Sequence, residues 1–234
     1  RLSFRSLYGP SKLNFNLFDE STAVSEFNSL VIRAGYNYSW VKNAADQRLN
    51  AQYLQDPFAK NSQLDMGHLS AHERFVHLYL NGLYWGLYNL SEKLTNDFMD
   101  SYMGGQEDDF DVVKDHSGIV DGNLTAWTKL INQANGGLNN NEAYRKIQGE
   151  NPDGSINLAY ANLLGIENLI DFMQLNMYIG NEDWDHNNWI AARNRATNDA
   201  GFRFFSWDAE TSMVDVNYNN TNENNAGNPS AIYN

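Results

Sequence analysis

Four side chains late in a 234-residue chain have the types and spacing to do chemistry: Asp183, Asn188, Asp208 and Glu210. Carboxylates joined by an amide oxygen make a hard-oxygen donor set, suited to Mg2+ or Mn2+ and compatible with Ca2+. Asp183 and Asn188 lie in the run NEDWDHNN, and Asp208 and Glu210 lie in SWDAE. A cation held there would offset the charge of a polyanionic substrate, and a neighbouring carboxylate would orient a hydroxyl nucleophile.

The spacing adds to the composition of the cluster. Asp-x-x-x-x-Asn is the spacing of the protein-kinase catalytic loop, where the Asp takes the hydroxyl proton and the Asn holds a metal. By itself it arises by chance. Here it sits in an ordered set: an apolar helix, the Asp-to-Asn run, two strands, and then Asp208 in the place of a metal-binding Asp. Asp183 is read as the base, and Asn188, Asp208 and Glu210 as metal ligands. Glu210 reads equally as the partner of a base from the first half. Asp185 reads as structural, facing solvent, and His186 as a turn residue. Arg5 and Lys12, flanking the turn at Tyr8 to Pro10, are the basic candidates for phosphate contact; each also reads as a solvated strand residue.

These residues need elements to hold them. Ile166 to Ile179 carries apolar side chains on nearly all sides and predicts a buried helix ending at Gly180. Trp189 to Arg193 and Phe202 to Trp207 predict a strand pair, which would bring Asp183, Asn188, Asp208 and Glu210 to one end of one hairpin. Upstream, Arg1 to Phe18 predicts two short strands and Phe27 to Arg33 another. Leu49 to Met66 has Tyr53, Leu54, Phe58 and Ala59 at helical spacing and predicts one helix. FVHLYL, then Asn81-Gly82, then LYWGLYNL predicts a tight hairpin, because both turn residues must take positive φ. At strand alternation Tyr79, Tyr84, Trp85 and Tyr88 read as core. Thr95 to Tyr102, Leu124 to Ala134 and Asn141 to Ile147 predict helices, and Phe110 to Lys114 a strand. From Asn217 on, the chain is Asn-rich and loses periodicity. The fold class is therefore α+β: a β-rich part over 1–93, a helical part with the late hairpin over 94–216, and a loop or tail over 217–234.

Composition bounds the function. A formal net charge of −13 argues against nucleic acid or anionic membranes as partners. No apolar run is long enough for a membrane span. The chain has no Cys, which excludes thiolate metal sites and Cys nucleophiles. His68 and His72 have i, i+4 spacing, but no Glu follows the first, so the zinc-peptidase pattern fails; with His77 they read as ordinary surface or core histidines.

The segments RLSFRSLYGPSKLNF, FNSLVIRAG, QYLQDPFAKNSQLDMG, FVHLYLNGLYWGLYNLSEK, NMYIGNEDWDHNNW and FFSWDAE together resemble the CotH family of spore-coat-protein-H-like atypical kinases, in the branch seen in bacterial surface or secreted proteins. The resemblance implies a divergent two-lobed kinase-like fold, ATP and divalent-metal binding, transfer to protein Ser/Thr, and an extracellular or cell-surface location. It places Asp183 as base, Asn188 and Asp208 as metal ligands, and Glu92 as the acidic residue after the hairpin, a candidate for the nucleotide. Gln55 stands where related sequences often have Arg. The Gly/Ser-rich loop and Lys pair of the family are expected upstream of Arg1, and further helices beyond the WDAE run, so a fragment clipped at one or both ends is expected. Two rivals remain: a non-catalytic surface module, either a pseudokinase or a glycan- or protein-binding domain, and a glycosidase using paired carboxylates.

Overall fold

The structure, a computed structural model, describes residues 1–115, 117–198 and 200–222. In chain order the strands are β1 (Leu2–Ser3), β2 (Leu13–Asn14), β3 (Glu26–Phe27), β4 (Ser29–Arg33), β5 (Glu73–Leu80), β6 (Leu83–Glu92), β7 (Phe110–Lys114), β8 (Gly118–Asp121), β9 (Trp189–Asn194) and β10 (Arg203–Ser206). The α-helices are α1 (Ala45–Leu49), α2 (Gln55–Asp65), α3 (Asn96–Met103), α4 (Thr125–Asn135), α5 (Asn141–Lys146) and α6 (Ile166–Tyr178). The chain is α+β with antiparallel sheets. No helix of the described residues is long and apolar enough to cross a membrane.

One sheet has the order β1-β4-β6-β5 and another β10-β9-β7-β8, with β2 and β3 forming a separate pair. The predicted strand over Phe27 to Arg33 divides between two of these: Phe27 pairs with Leu13, while Leu30 pairs with Leu2 and Glu92. Alternation along β4 turns Leu30 and Ile32 into a core with Phe18, Phe27 and Leu90. It therefore turns Arg33 to the opposite face. The second sheet is packed on both faces. Val113, Trp127, Phe172, Trp189 and Phe204 share one cluster. Phe98, Phe110, Val112, Ile190 and Phe205 share another.

The hairpin of β5 and β6 turns at Asn81 and Gly82, with φ of 50° and 80°, as the sequence requires. Its aromatics do not join the core. Tyr79, Tyr84 and Trp85 are each more than half exposed, because the hairpin tip extends past the elements that cover its base. α6 is less buried than its composition suggests: Phe172 and Leu175 are inside, but Tyr178 lies in the open.

The region from Leu49 to Met66 also differs from expectation. Only 55–65 of it is helical, as α2; α1 ends at Leu49, and residues 50–54 between them are not helical, with Tyr53 at a φ of 62°. The buried face of α2 is Gln55, Asp56, Ala59, Lys60 and Gln63, while Leu54 and Phe58 face outward. A mostly polar face can be buried here because most of its groups find partners. Lys60, fully buried, bonds Asp56 at 2.8 Å, Glu73 at 2.9 Å and Ser91 at 3.3 Å. Gln63 lies against the outer edge of β10, donating to the Phe204 carbonyl at 2.7 Å and accepting the Ser206 N–H at 2.9 Å. Asn168 of α6 accepts the Phe204 N–H at 2.6 Å and donates to its carbonyl. Two side-chain amides thus complete the hydrogen bonding of an edge strand that water does not reach.

Gln63→Leu strands the Ser206 N–H. We expect a loss of about 1–3 kcal/mol in stability by urea denaturation; a midpoint equal to the wild type would contradict this account of the edge.

Candidate active site

The register Ser206↔Trp189 in the β9–β10 pair sets the loop before β9 beside the loop after β10. This brings the predicted carboxylate residues together. Asn188 donates through Nδ2 to Asp183 Oδ2 at 3.1 Å and to the Asp208 carbonyl at 3.2 Å. Asn188 and Asp208 both take left-handed backbone, at φ 63° and 59°, a region Asn and Asp enter more readily than other side chains. Each loop is fixed to the frame. The Asp183 N–H donates to Asn181 Oδ1 at 3.2 Å, Asn181 donates to Asn176 at 2.9 Å, and Asn176 donates to the Phe172 carbonyl of α6 at 2.8 Å. Asp115, just after β7, accepts the Asn188 N–H at 2.9 Å. Neither Asn176 nor Asp115 is singled out by the sequence, since their partners are identified only by the fold.

The basic group at this centre is Arg33, the last residue of β4. Its guanidinium bonds Asp56 at 2.9 Å and Glu210 at 2.7 Å, and also bonds Asp208 Oδ1. Its carbon lies 5.6 Å from the centre of the Trp207 ring. Burial works against its charge, but Asp56, Asp208 and Glu210 outweigh burial and hold its pKa above the ordinary Arg value. Asp56 spans the site: Oδ2 takes Arg33 and Lys60, and Oδ1 accepts the Ala209 N–H at 3.0 Å. Burial alone would raise the Asp56 pKa; Lys60, Arg33 and the backbone bond reverse this and lower it. Glu73 shares Lys60, yet burial outweighs that contact and raises its pKa. Glu182, next to Asp183, is likewise raised, by burial and then by Asp183.

Glu210, read as either metal ligand or ion-pair partner, is an ion-pair partner of Arg33 and also accepts the Asn37 N–H at 3.1 Å. The other predicted residues are engaged elsewhere. Lys12 pairs with Glu26 at 2.6 Å across the β2–β3 pair, and the bond to Glu26 raises its pKa. Arg5 is exposed in the turn after β1. Glu92 is buried, accepting from the His72 N–H at 2.8 Å and from the Tyr102 hydroxyl at 2.6 Å. Asp185 is buried rather than solvent-facing, and its carbonyl accepts the Trp189 indole N–H at 3.1 Å. His68 pairs with Asp171 and His77 lies against Tyr84, so the histidines do not gather.

No group of three Asp, Glu or His side chains among the described residues converges to hold a metal. Even so, Asp183 Oδ1, Asn188 Oδ1 and Asp208 Oδ2 take no hydrogen bond from the described residues. Two carboxylates and an amide oxygen are the donor set for Mg2+, which is commonly held by one or two carboxylates with substrate phosphates completing the shell. In residue type these three oxygens suit such an ion, held together with a phosphate ligand.

The lowered pKa of Asp56 predicts an acid limb of stability. A folded pKa below the unfolded value stabilises above the unfolded pKa, about 3.9, and that stability is lost as pH falls through the folded value. Asp56→Asn should therefore lower the urea midpoint strongly at pH 7, with the gap to wild type narrowing below about pH 4; a gap of constant size across that range would show that Asp56 is not held ionised.

A family model described as CotH kinase protein matches residues 42–233. Among curated proteins none matches the chain. The match takes in α2, the β5–β6 hairpin, α6 and the whole Asp183 to Glu210 centre, and on that ground the chain belongs to the CotH kinase family.

Proposed function

We propose that the protein is a metal-dependent atypical protein kinase of two-lobed, kinase-like build that transfers phosphate from ATP to Ser or Thr hydroxyls of a protein substrate. The observation that carries this reading is the junction of Asp183, Asn188 and Asp208 at one end of the β9–β10 pair, facing Arg33. Asp183 orients the acceptor hydroxyl and takes its proton. Asn188 and Asp208 would hold Mg2+ or Mn2+, with Glu210 beside them on Arg33. When bound, the cation would offset phosphate charge and bring the nucleotide into an acidic centre. Arg33 serves the phosphates in place of Arg5 and Lys12, because it is the cation held beside Asp208. Its pair with Asp56 joins strand to helix, as the Lys–Glu pair of protein kinases does. Glu92, tied to His72 and Tyr102, acts through the geometry of the segment after β6. The family resemblance supports an extracellular or cell-surface location.

One observation favours a second reading, a non-catalytic surface module. Arg33 already bonds both Asp208 and Glu210, which satisfies part of the charge a metal would meet. The two readings separate in an assay of phosphate incorporation from labelled ATP with Mn2+ and a generic protein acceptor. The kinase reading expects incorporation that falls about 10²–10⁴-fold in Asp183→Asn, with an unchanged urea midpoint. Wild-type incorporation no higher than that of the variant would favour the non-catalytic module.

A further inference from the structure

Among the described residues, the edges of the two large sheets are short or closed, with one exception. β1 is a two-residue strand and β8 a four-residue one, and β10 is completed by Gln63 and Asn168. β5 is an eight-residue strand at the end of its sheet, with β6 on one side only. The alternation of the β5–β6 ladder shows which groups face the open side. The Glu92 N–H donates to the His72 carbonyl at 3.0 Å, one step before the pair Glu73↔Ser91. Bonded and non-bonded pairs alternate, so Phe75 and His77 turn their backbone N–H and C=O away from β6. No other backbone of the described residues bonds them there.

Nothing blunts this stretch. Phe75 to Leu80 reads FVHLYL, without Lys, Arg, Asp, Glu or Pro, and the register shift comes only after Leu78. Natural edges carry charge, Pro, a bulge or a cover, because an open edge is a template for another strand.

A cavity of about 430 Å³ opens at the same edge. Phe75, Asn89 and Arg33 form one row across β5, β6 and β4 and line it. Phe75 is 39% exposed, Asn89 9%, and the Arg33 side chain 13%, so the cavity is closed toward β4 and open toward β5. Leu87, opposite His77, and Leu54, just before α2, also line it, and both are more than half exposed. Large apolar side chains left exposed together mark an interaction surface.

We propose that β5 is a docking edge: an extended segment of a partner protein adds to the sheet as a further strand and seats one large apolar side chain in the cavity. The outward groups of Phe75 and His77, two residues and so about 7 Å apart, match the backbone of another strand. A residue set opposite Phe75 turns its side chain to the Phe75 face, where the cavity opens. Arg33 and Glu210 line the same cavity, so the docked segment is held close to the carboxylate centre. The inference concerns binding and stands whether or not the chain transfers phosphate.

The probe is the fluorescein-labelled peptide KTVTFTVTK, whose Val, Phe and Val share one face. One control replaces its Phe by Ser, and another carries N-methyl groups on those three residues. Fluorescence anisotropy with the whole chain should show saturable binding, about tenfold weaker for each control. Hydrogen exchange should slow at the Phe75 and His77 amides in the bound state. His77→Pro removes an outward N–H where an edge strand accepts Pro, and should abolish binding at the wild-type urea midpoint. Leu87→Glu, at an exposed position off the edge, should weaken binding about tenfold and decides the matter if His77→Pro unfolds the chain. Asp183→Asn should bind as wild type, so a failure of the kinase reading leaves this result standing. The proposal is overturned by an absence of saturable binding, by equal affinity for either control, by unslowed exchange at Phe75 and His77, or by full binding in Leu87→Glu. A wild-type dimer in sedimentation that His77→Pro converts to monomer would also overturn it, by giving the edge to a second copy.

Discussion

Arg33 is the interaction on which the rest depends. A single guanidinium, largely buried, joins Asp56 of α2, Asp208 after β10 and Glu210 beyond it. It thereby fastens the first sheet to the helix and to the loop that carries the acidic centre. Removing one partner of such a network costs more than the pair contributes, because the remaining charges stay buried and unpaired. The same count explains the chemistry. Two cations, Arg33 and Lys60, shared among Asp56, Glu73, Asp208 and Glu210, with Asp183 close by, leave negative charge uncompensated. That residual charge is what a divalent cation with phosphate would complete.

The surroundings make this charge tolerable. Lys60 supports Asp56 from within α2, and the Ala209 N–H supports it from the loop. Gln63 and Asn168 finish the edge of β10, so the strand leading into Asp208 has a fixed position without a further strand beside it. The polar face of α2 is thus a positioning device: it sets where β10 ends and where the carboxylates begin. An apolar face at the same place would have buried the β10 backbone groups without partners.

Much of this was legible in the sequence because it is local. Asn81-Gly82 dictates its hairpin through backbone geometry alone, and α6 declares itself by apolar periodicity. The meeting of Asp183, Asn188 and Asp208 follows once β9 and β10 are paired, and Asp-x-x-x-x-Asn gave its spacing. What escaped depends on distant partners. Arg33 looked like the polar end of a strand; only Asp208 and Glu210, far along the chain, give it a role. The apolar spacing over Leu49 to Met66 named Ala59, which is buried, but missed Lys60 and Gln63, whose burial rests on hydrogen bonds to Glu73 and to the Phe204 and Ser206 backbone. Tyr79, Tyr84 and Trp85 have the residue types of a core, yet each is more than half exposed near the hairpin tip.

The central claim is that the carboxylates around Arg33 take a nucleotide together with a divalent cation. The most direct measurement is the thermal unfolding midpoint with ATP alone, Mn2+ alone, and both, since a ligand that binds only the native state must raise it. The account predicts a rise with both that exceeds the sum of the separate effects and disappears in Asp208→Asn. A midpoint unmoved by ATP and Mn2+ together would contradict it.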